Sequence, residues 1–197
     1  MKLLGNLKKG LVFVLSAPAG TGKTTLVQKL CKEFSCIVQS VSYTTRPRRY
    51  NEASGDHYHF VTKETFEKKI VEEEFLEYVK LYNDYYGTSK KWVENKVESG
   101  KHVILVIDTQ GALQLVDTLD ARFIFIAPPS LTELKQRLVI RNTDSKESIA
   151  KRLEWAKKEL EAAHYYDYLI VNDSLEIAYE VLRSIVIAEE HRVNKLS

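Results

Sequence analysis

No stretch of this chain is apolar for long enough to cross a membrane. A spanning helix needs about 20 consecutive apolar residues, and the unbroken run Leu11–Leu15 has five. The same shortage argues against a cleaved leader. Lys2, Lys8 and Lys9 precede the run and Ala17-Pro18-Ala19 follows it, but an export signal carries an apolar region of about 7–15 residues. Cysteine is scarce: Cys31 and Cys36 have no companions at metal-ligand spacing. They read as reduced structural thiols of a cytoplasmic protein. Proline occurs four times, and no linker, repeat or low-complexity tract divides the chain. An excess of one charge is missing as well. A net charge of +2 gives no footprint for nucleic acid or a membrane surface, so any phosphate-binding basic residues must be concentrated locally.

What is present fits one domain with small inserted parts. Leu11–Leu15, Val103–Ile107, Arg122–Ala127 and Tyr168–Val171 read as buried strands, with Ile37–Val41 a shorter fifth. Helical spacing runs from Thr24 to Phe34, Leu131 to Arg141 and Lys146 to His164. Asp173 with Glu176 predicts the cap of a last helix to about His191. Strands alternating with helices predict an α/β fold built on a parallel five-stranded sheet covered by helices. Residues 42–99 break the rhythm with a basic, proline-containing segment, aromatic strands at Tyr58–Val61 and Phe75–Lys80, and an acidic helix between them. They predict an inserted α+β lobe, with Glu72–Glu74 on a solvated helix face.

Ser16-Ala17-Pro18-Ala19-Gly20-Thr21-Gly22-Lys23-Thr24-Thr25 lies between the first strand and the first helix. That is the position of a phosphate-binding loop. Gly20 and Gly22 let successive N–H groups turn inward, and the helix N-terminus adds partial positive charge. Lys23 is placed to reach the β- and γ-phosphates of a nucleoside triphosphate, and the Thr24 hydroxyl to bind Mg²⁺. Ala17 stands where the full pattern has glycine. Asp108 ends the strand at Val103–Ile107, at the sheet edge where such folds bind ligands. It is a candidate for a metal-bound water or for the acceptor. The loop alone leaves kinase, GTPase, motor and transporter open; the length and the single inserted lobe favour a small-molecule kinase.

The lobe supplies the acceptor side. Arg46 and Arg49, in Ser42-Tyr43-Thr44-Thr45-Arg46-Pro47-Arg48-Arg49, suit a two-pronged clamp on a phosphate dianion. Tyr58 can add a phenolic hydrogen bond. Glu52, Gly55 and Phe60 complete the pattern, and Phe75-Leu76-Glu77 and Tyr86-Gly87-Thr88-Ser89 follow. On these residues the chain resembles the guanylate kinase family from about Gly10 to His191. The resemblance implies that Ser42, Glu77 and Thr88 read guanine. It implies that Arg46, Arg49, Tyr58 and Tyr86 hold the phosphate of GMP, with Asp108 close to the acceptor. It also implies a lid across 137–152, whose Arg137 and Arg141, with Arg152, meet the transferring phosphoryl group, and Asn172 near the adenine of ATP. Asn142 stands where the family's lid usually has glycine.

The expectation is therefore an ATP:GMP phosphotransferase that also takes dGMP, uses Mg²⁺, and needs neither nucleic acid, membrane nor an obligate protein partner. Its core is expected over 1–41, 100–136 and 153–197. Two rivals remain: a non-catalytic binding module of the same fold, and a kinase with another acceptor. Lys23, Thr24 and the absence of room for further domains oppose the first; the Ser42–Glu77 pair opposes the second.

Overall fold

The computed structural model describes residues 2–81, 83–140 and 146–193. In chain order the elements are β1 (Val12–Ser16), α1 (Lys23–Glu33), β2 (Ile37–Gln39), β3 (Tyr43–Thr44), β4 (His59–Phe60) and α2 (Lys63–Val71). Then follow β5 (Phe75–Leu81), β6 (Asp84–Ser89), α3 (Lys90–Glu98), β7 (His102–Val106), α4 (Thr109–Leu115) and β8 (Ala121–Ala127). The chain continues with α5 (Leu131–Ile140), α6 (Lys146–Glu161), a 3₁₀ turn at Ala162–Tyr165, β9 (Tyr168–Val171) and α7 (Leu175–Glu190).

The central sheet has five strands in the order β2-β7-β1-β8-β9, all parallel. Strand β1 is buried along its whole length, as a continuous β-branched and aromatic run in a doubly covered sheet should be. Phe13, Leu15, Ile104 and Ile124 pack on one face against α1 and α7, through Leu26, Leu30, Leu182 and Val186. Val14, Val103, Leu105 and Phe123 pack on the other against α3 and α4, through Val93, Val97, Ala112 and Leu115. A third cluster joins α5 and α6 through Leu134, Leu138, Ile149 and Ala156.

A four-stranded sheet, β4-β3-β6-β5, stands apart from the core sheet. Its β5–β6 hairpin pairs Glu77 with Thr88, and β3 pairs Thr44 with Tyr86. Phe66 of α2 stacks on Phe75 and Tyr85 and is fully buried, which closes this small core. Helix α2 stops at Val71: Glu73 turns to φ 53°, and the Glu74 N–H donates back to the Lys69 carbonyl. The run Glu72–Glu74 is thus a helix terminus rather than a helix face. Similarly, α7 is capped by Ser174, whose hydroxyl accepts from the Ile177 N–H, and not by Asp173. Asp108 falls two residues beyond the end of β7 and caps α4.

One buried polar knot ties the chain ends to the sheet. Leu11 N–H donates to His102 Nδ1 at 3.0 Å, so the hydrogen of this imidazole is on Nε2, which donates to Glu190 at 2.6 Å. The Glu190 carboxylate also accepts from the Gly5 N–H and from the backbone and side-chain N–H groups of Asn6. Burial pushes this carboxyl up, but the hydrogen bonds from Gly5, Asn6 and His102 outweigh it and hold it at about 2.

Candidate functional site

The phosphate loop leaves β1 at Ser16 and enters α1 at Lys23. Gly20 and Gly22 have φ of 96° and 87°, values that a side chain resists. The loop is braced from inside: the Thr21 hydroxyl donates to the Pro18 carbonyl at 2.8 Å, and the Asn172 side-chain amide donates to the Thr21 carbonyl at 2.5 Å. A methyl group at Gly22 would lie 2.8 Å from that amide. Asn172 is therefore buried behind the loop, with its amide nitrogen spent on holding it.

A cleft of about 780 Å³ opens between this loop, the second sheet and α6. Ala17, Ala19, Lys23 and Asp108 line its floor; Pro18, Gly20, Thr21, Gly22, Thr24 and Thr25 complete the loop around them. Ser42, Arg46, Arg49, Tyr58, Glu77 and Tyr86 line the lobe side. Helix α6 contributes Ser148, Arg152, Trp155 and Glu159, spaced at i, i+4, i+7 and i+11 along one helical face.

Several lobe residues are held by neighbours. The Arg46 guanidinium donates to Glu52 Oε1 at 2.6 Å and lies over the rings of Tyr58 and Phe60. The other Glu52 oxygen accepts from the Arg49 backbone N–H, so one carboxylate holds the Arg46 guanidinium and the main chain at Arg49. Tyr58 meets Tyr86 edge-on with ring centroids 5.9 Å apart. Glu77 is 4% exposed, and its Oε1 accepts from the Thr88 hydroxyl at 2.6 Å. Burial drives its carboxyl up to about 7; the Thr88 hydrogen bond opposes the shift and the Asp108 charge adds to it.

On the floor, Asp108 Oδ1 accepts from the Gly111 N–H at 2.8 Å, whereas Oδ2 is buried with no hydrogen-bond partner among the described residues. Burial raises Asp108 and lowers Lys23, whose charge is supported by Glu159 and Asp108. Glu159 is also buried, and burial raises it to about 7 against the pull of Lys23. Glu159 and Trp155 carry no motif in the sequence, and nothing in it marks the anchoring role of Glu52. Trp155 and Glu159 lie three and seven residues beyond Arg152, on the same helical face.

Arg137 is not among the cleft residues: its guanidinium donates to Glu133 and to the Asn172 carbonyl at 2.9 Å. Arg141 and the Asn142 position lie outside the described residues.

A phosphate loop on a parallel sheet, with basic and aromatic side chains lining the other side of the same cleft, fits a phosphoryl-transferring enzyme. The family model described as guanylate kinase matches residues 9–189. The guanylate kinase of Protochlamydia amoebophila is 60% identical over 195 residues, covering 99% of each chain. That of Neisseria meningitidis serogroup A is 50% identical over 180 residues, covering 91% of this chain and 88% of its own. The crystal structure of guanylate kinase from Anaplasma phagocytophilum superposes with a TM-score of 0.77 at 33% identity, covering 94% of this chain and 88% of that one. The chain belongs to the guanylate kinase family and is a nucleoside monophosphate kinase. Among its described residues no helix is long and apolar enough to cross a membrane.

Proposed function

We propose that this chain transfers the γ-phosphoryl group of ATP to GMP, giving ADP and GDP, accepts dGMP likewise, and works in the cytoplasm without an obligate partner. The observation that carries the reading is a buried carboxylate, Glu77, braced by Thr88 in the same cleft as the phosphate loop. Guanine presents N–H donors on its Watson–Crick edge, where adenine presents an acceptor. Ionised Glu77 accepts from those donors and faces a lone pair if adenine enters. An unpaired buried carboxylate costs on the order of a few kcal/mol, which is a discrimination of ~10²-fold or more. Ser42 stands at the same wall, and Arg46, Arg49, Tyr58 and Tyr86 take the GMP phosphate.

In this reading residues 42–99 form the GMP-binding lobe. Residues 137–152 form a lid, of which 141–145 lie outside the described residues. The remainder is the core. The phosphate loop from Ala17 to Thr25 holds the ATP phosphates, and Asn172, besides bracing the loop, lies near the adenine. The residues present fit a magnesium ion: Thr24 would hold it, and Asp108 Oδ2, which has no hydrogen-bond partner among the described residues, would accept from one of its waters. When bound, magnesium neutralises phosphate charge.

An oxygen of the GMP phosphate attacks the γ-phosphorus of ATP, and the bond to the β-phosphate oxygen breaks. No general base is required, because a phosphate monoester has its second pKa near ~6 and is already a dianion at neutral pH. Catalysis is alignment and charge stabilisation, by Lys23 from the loop and Arg152 from α6. Arg137 joins them only if it exchanges its contacts with Glu133 and Asn172. Closing α6 against the lobe excludes water from the γ-phosphate. Phosphorus NMR of ATP with magnesium tests this: GDP accumulates when GMP is added, and ATP persists without it. Rapid ATP hydrolysis in the absence of GMP would contradict the reading.

A further inference from the structure

Helix α4 begins against the lobe. Its capping residue, Asp108, accepts the Gly111 N–H, and this first turn packs on β5. Gly111 is buried. A Cβ built there would lie 2.5 Å from Glu77 Oε2, 3.2 Å from Glu77 Cδ and 3.4 Å from Asp108 Oδ1. The first of these is far inside van der Waals contact. The other Glu77 oxygen is fixed by the Thr88 hydroxyl at 2.6 Å, from the strand position directly opposite in register. The carboxylate is therefore clamped between a hydroxyl on one side and a bare α-carbon on the other.

The local backbone does not explain this glycine. Gly111 is inside a helix and is not among the positive-φ residues, and alanine is the better helix former at such a position. Its reason is tertiary: any side chain would occupy the volume that the Glu77 carboxylate fills. We propose that Gly111 is a specificity-determining positioning residue, whose missing side chain is the seat that aims Glu77 at the guanine edge. The inference rests on the reading of Glu77 as the guanine-selecting group.

A methyl group at this site displaces Oε2 by about an ångström, and the Thr88 bond cannot follow without moving β6. In steady-state assays Gly111→Ala raises KM for GMP by about tenfold or more and lowers the preference for GMP over AMP. KM for ATP stays within about twofold. A merely structural role would move the melting temperature and both KM values together. Coupling supplies the second arm. Glu77→Asp is shorter by one methylene and withdraws its carboxylate from the new methyl group. The double variant Gly111→Ala/Glu77→Asp then loses less than the product of the two single losses. Should the methyl group cost folding outright, recovery of the melting temperature in the double variant carries the same result.

An unchanged GMP KM in Gly111→Ala overturns the proposal, and so does strict multiplicativity in the double variant. Glu77→Gln separates the two levels of the argument. If it loses the preference for GMP while Gly111→Ala retains it, Gly111 is not the seat and the reading of Glu77 stands. If it retains the preference, both fall.

Discussion

Replacing Glu77 by glutamine should make the unliganded enzyme more stable at alkaline pH while destroying its choice of acceptor. The side chain is 4% exposed, and burial raises its carboxyl from the ordinary 4.5 to about 7. Because the folded state binds this proton more tightly than the unfolded chain, the contribution of Glu77 to stability is greatest in acid. It is lost as pH rises from 4.5 through 7. The full difference is worth about 3 kcal/mol, most of it developing between pH 5 and pH 8. Glutamine keeps an oxygen for the Thr88 hydroxyl and carries no charge to desolvate, so the variant escapes the penalty. Urea unfolding of both proteins at pH 5 and pH 8 gives the test. Relative to wild type, the variant's midpoint should rise between the two pH values by about 1–1.5 M, for slopes near ~2 kcal/mol/M. Using the difference between the two proteins removes the titration of every other group, Glu190 included. A gap between the proteins that is the same at both pH values would refute the reasoning. Added GMP should narrow the gap at pH 8 by stabilising wild type alone, since its N–H donors repay the ionised carboxylate.

Other consequences are open to measurement. Glu190→Ala strips the acceptor from the Gly5, Asn6 and His102 donors; it should lower unfolding free energy by about 3–5 kcal/mol, seen in the urea midpoint. Its kcat at low temperature should be near wild type, because none of these residues lines the cleft. Glu52→Ala frees Arg46 and the Arg49 N–H. It should raise KM for GMP about tenfold, the equivalent of ~1.4 kcal/mol, with KM for ATP unchanged. Lys23→Ala should lower kcat by about 10²-fold or more in stopped-time ADP assays, leaving the fold intact by circular dichroism.

The parts that could be read from the sequence are those where local chemistry and final environment coincide. The run Val12–Ser16 is apolar in sequence and buried on both faces, and the glycines of the phosphate loop declare their backbone by themselves. The segment from Ser42 to Phe60 announces an anion site because arginine, tyrosine and proline cluster there. Strand β3, two residues long, carries no periodicity and exists because β6 and β4 pair on either side of it, whereas β4 falls inside the aromatic run Tyr58–Val61 that the sequence marks as a strand. Helix α4 carries little sequence signal because Thr109–Leu115 is short and its cap, Asp108, lies two residues beyond a strand. Gly111 and Glu159 matter through contacts with residues far away in the chain, which no window of sequence displays. The cap of α7 was misplaced by one residue because Asp173 and Ser174 are both good capping residues; the extended backbone at Ser174 decides between them.

The central claim is that one cleft joins an ATP loop to a guanine-selecting carboxylate. It is tested most directly by ADP release from ATP and magnesium with GMP, AMP, CMP, UMP or no acceptor. The account predicts turnover with GMP alone, abolished in Lys23→Ala and crippled in Glu77→Ala. Equal turnover with AMP, or undiminished turnover with GMP in Glu77→Ala, would contradict it.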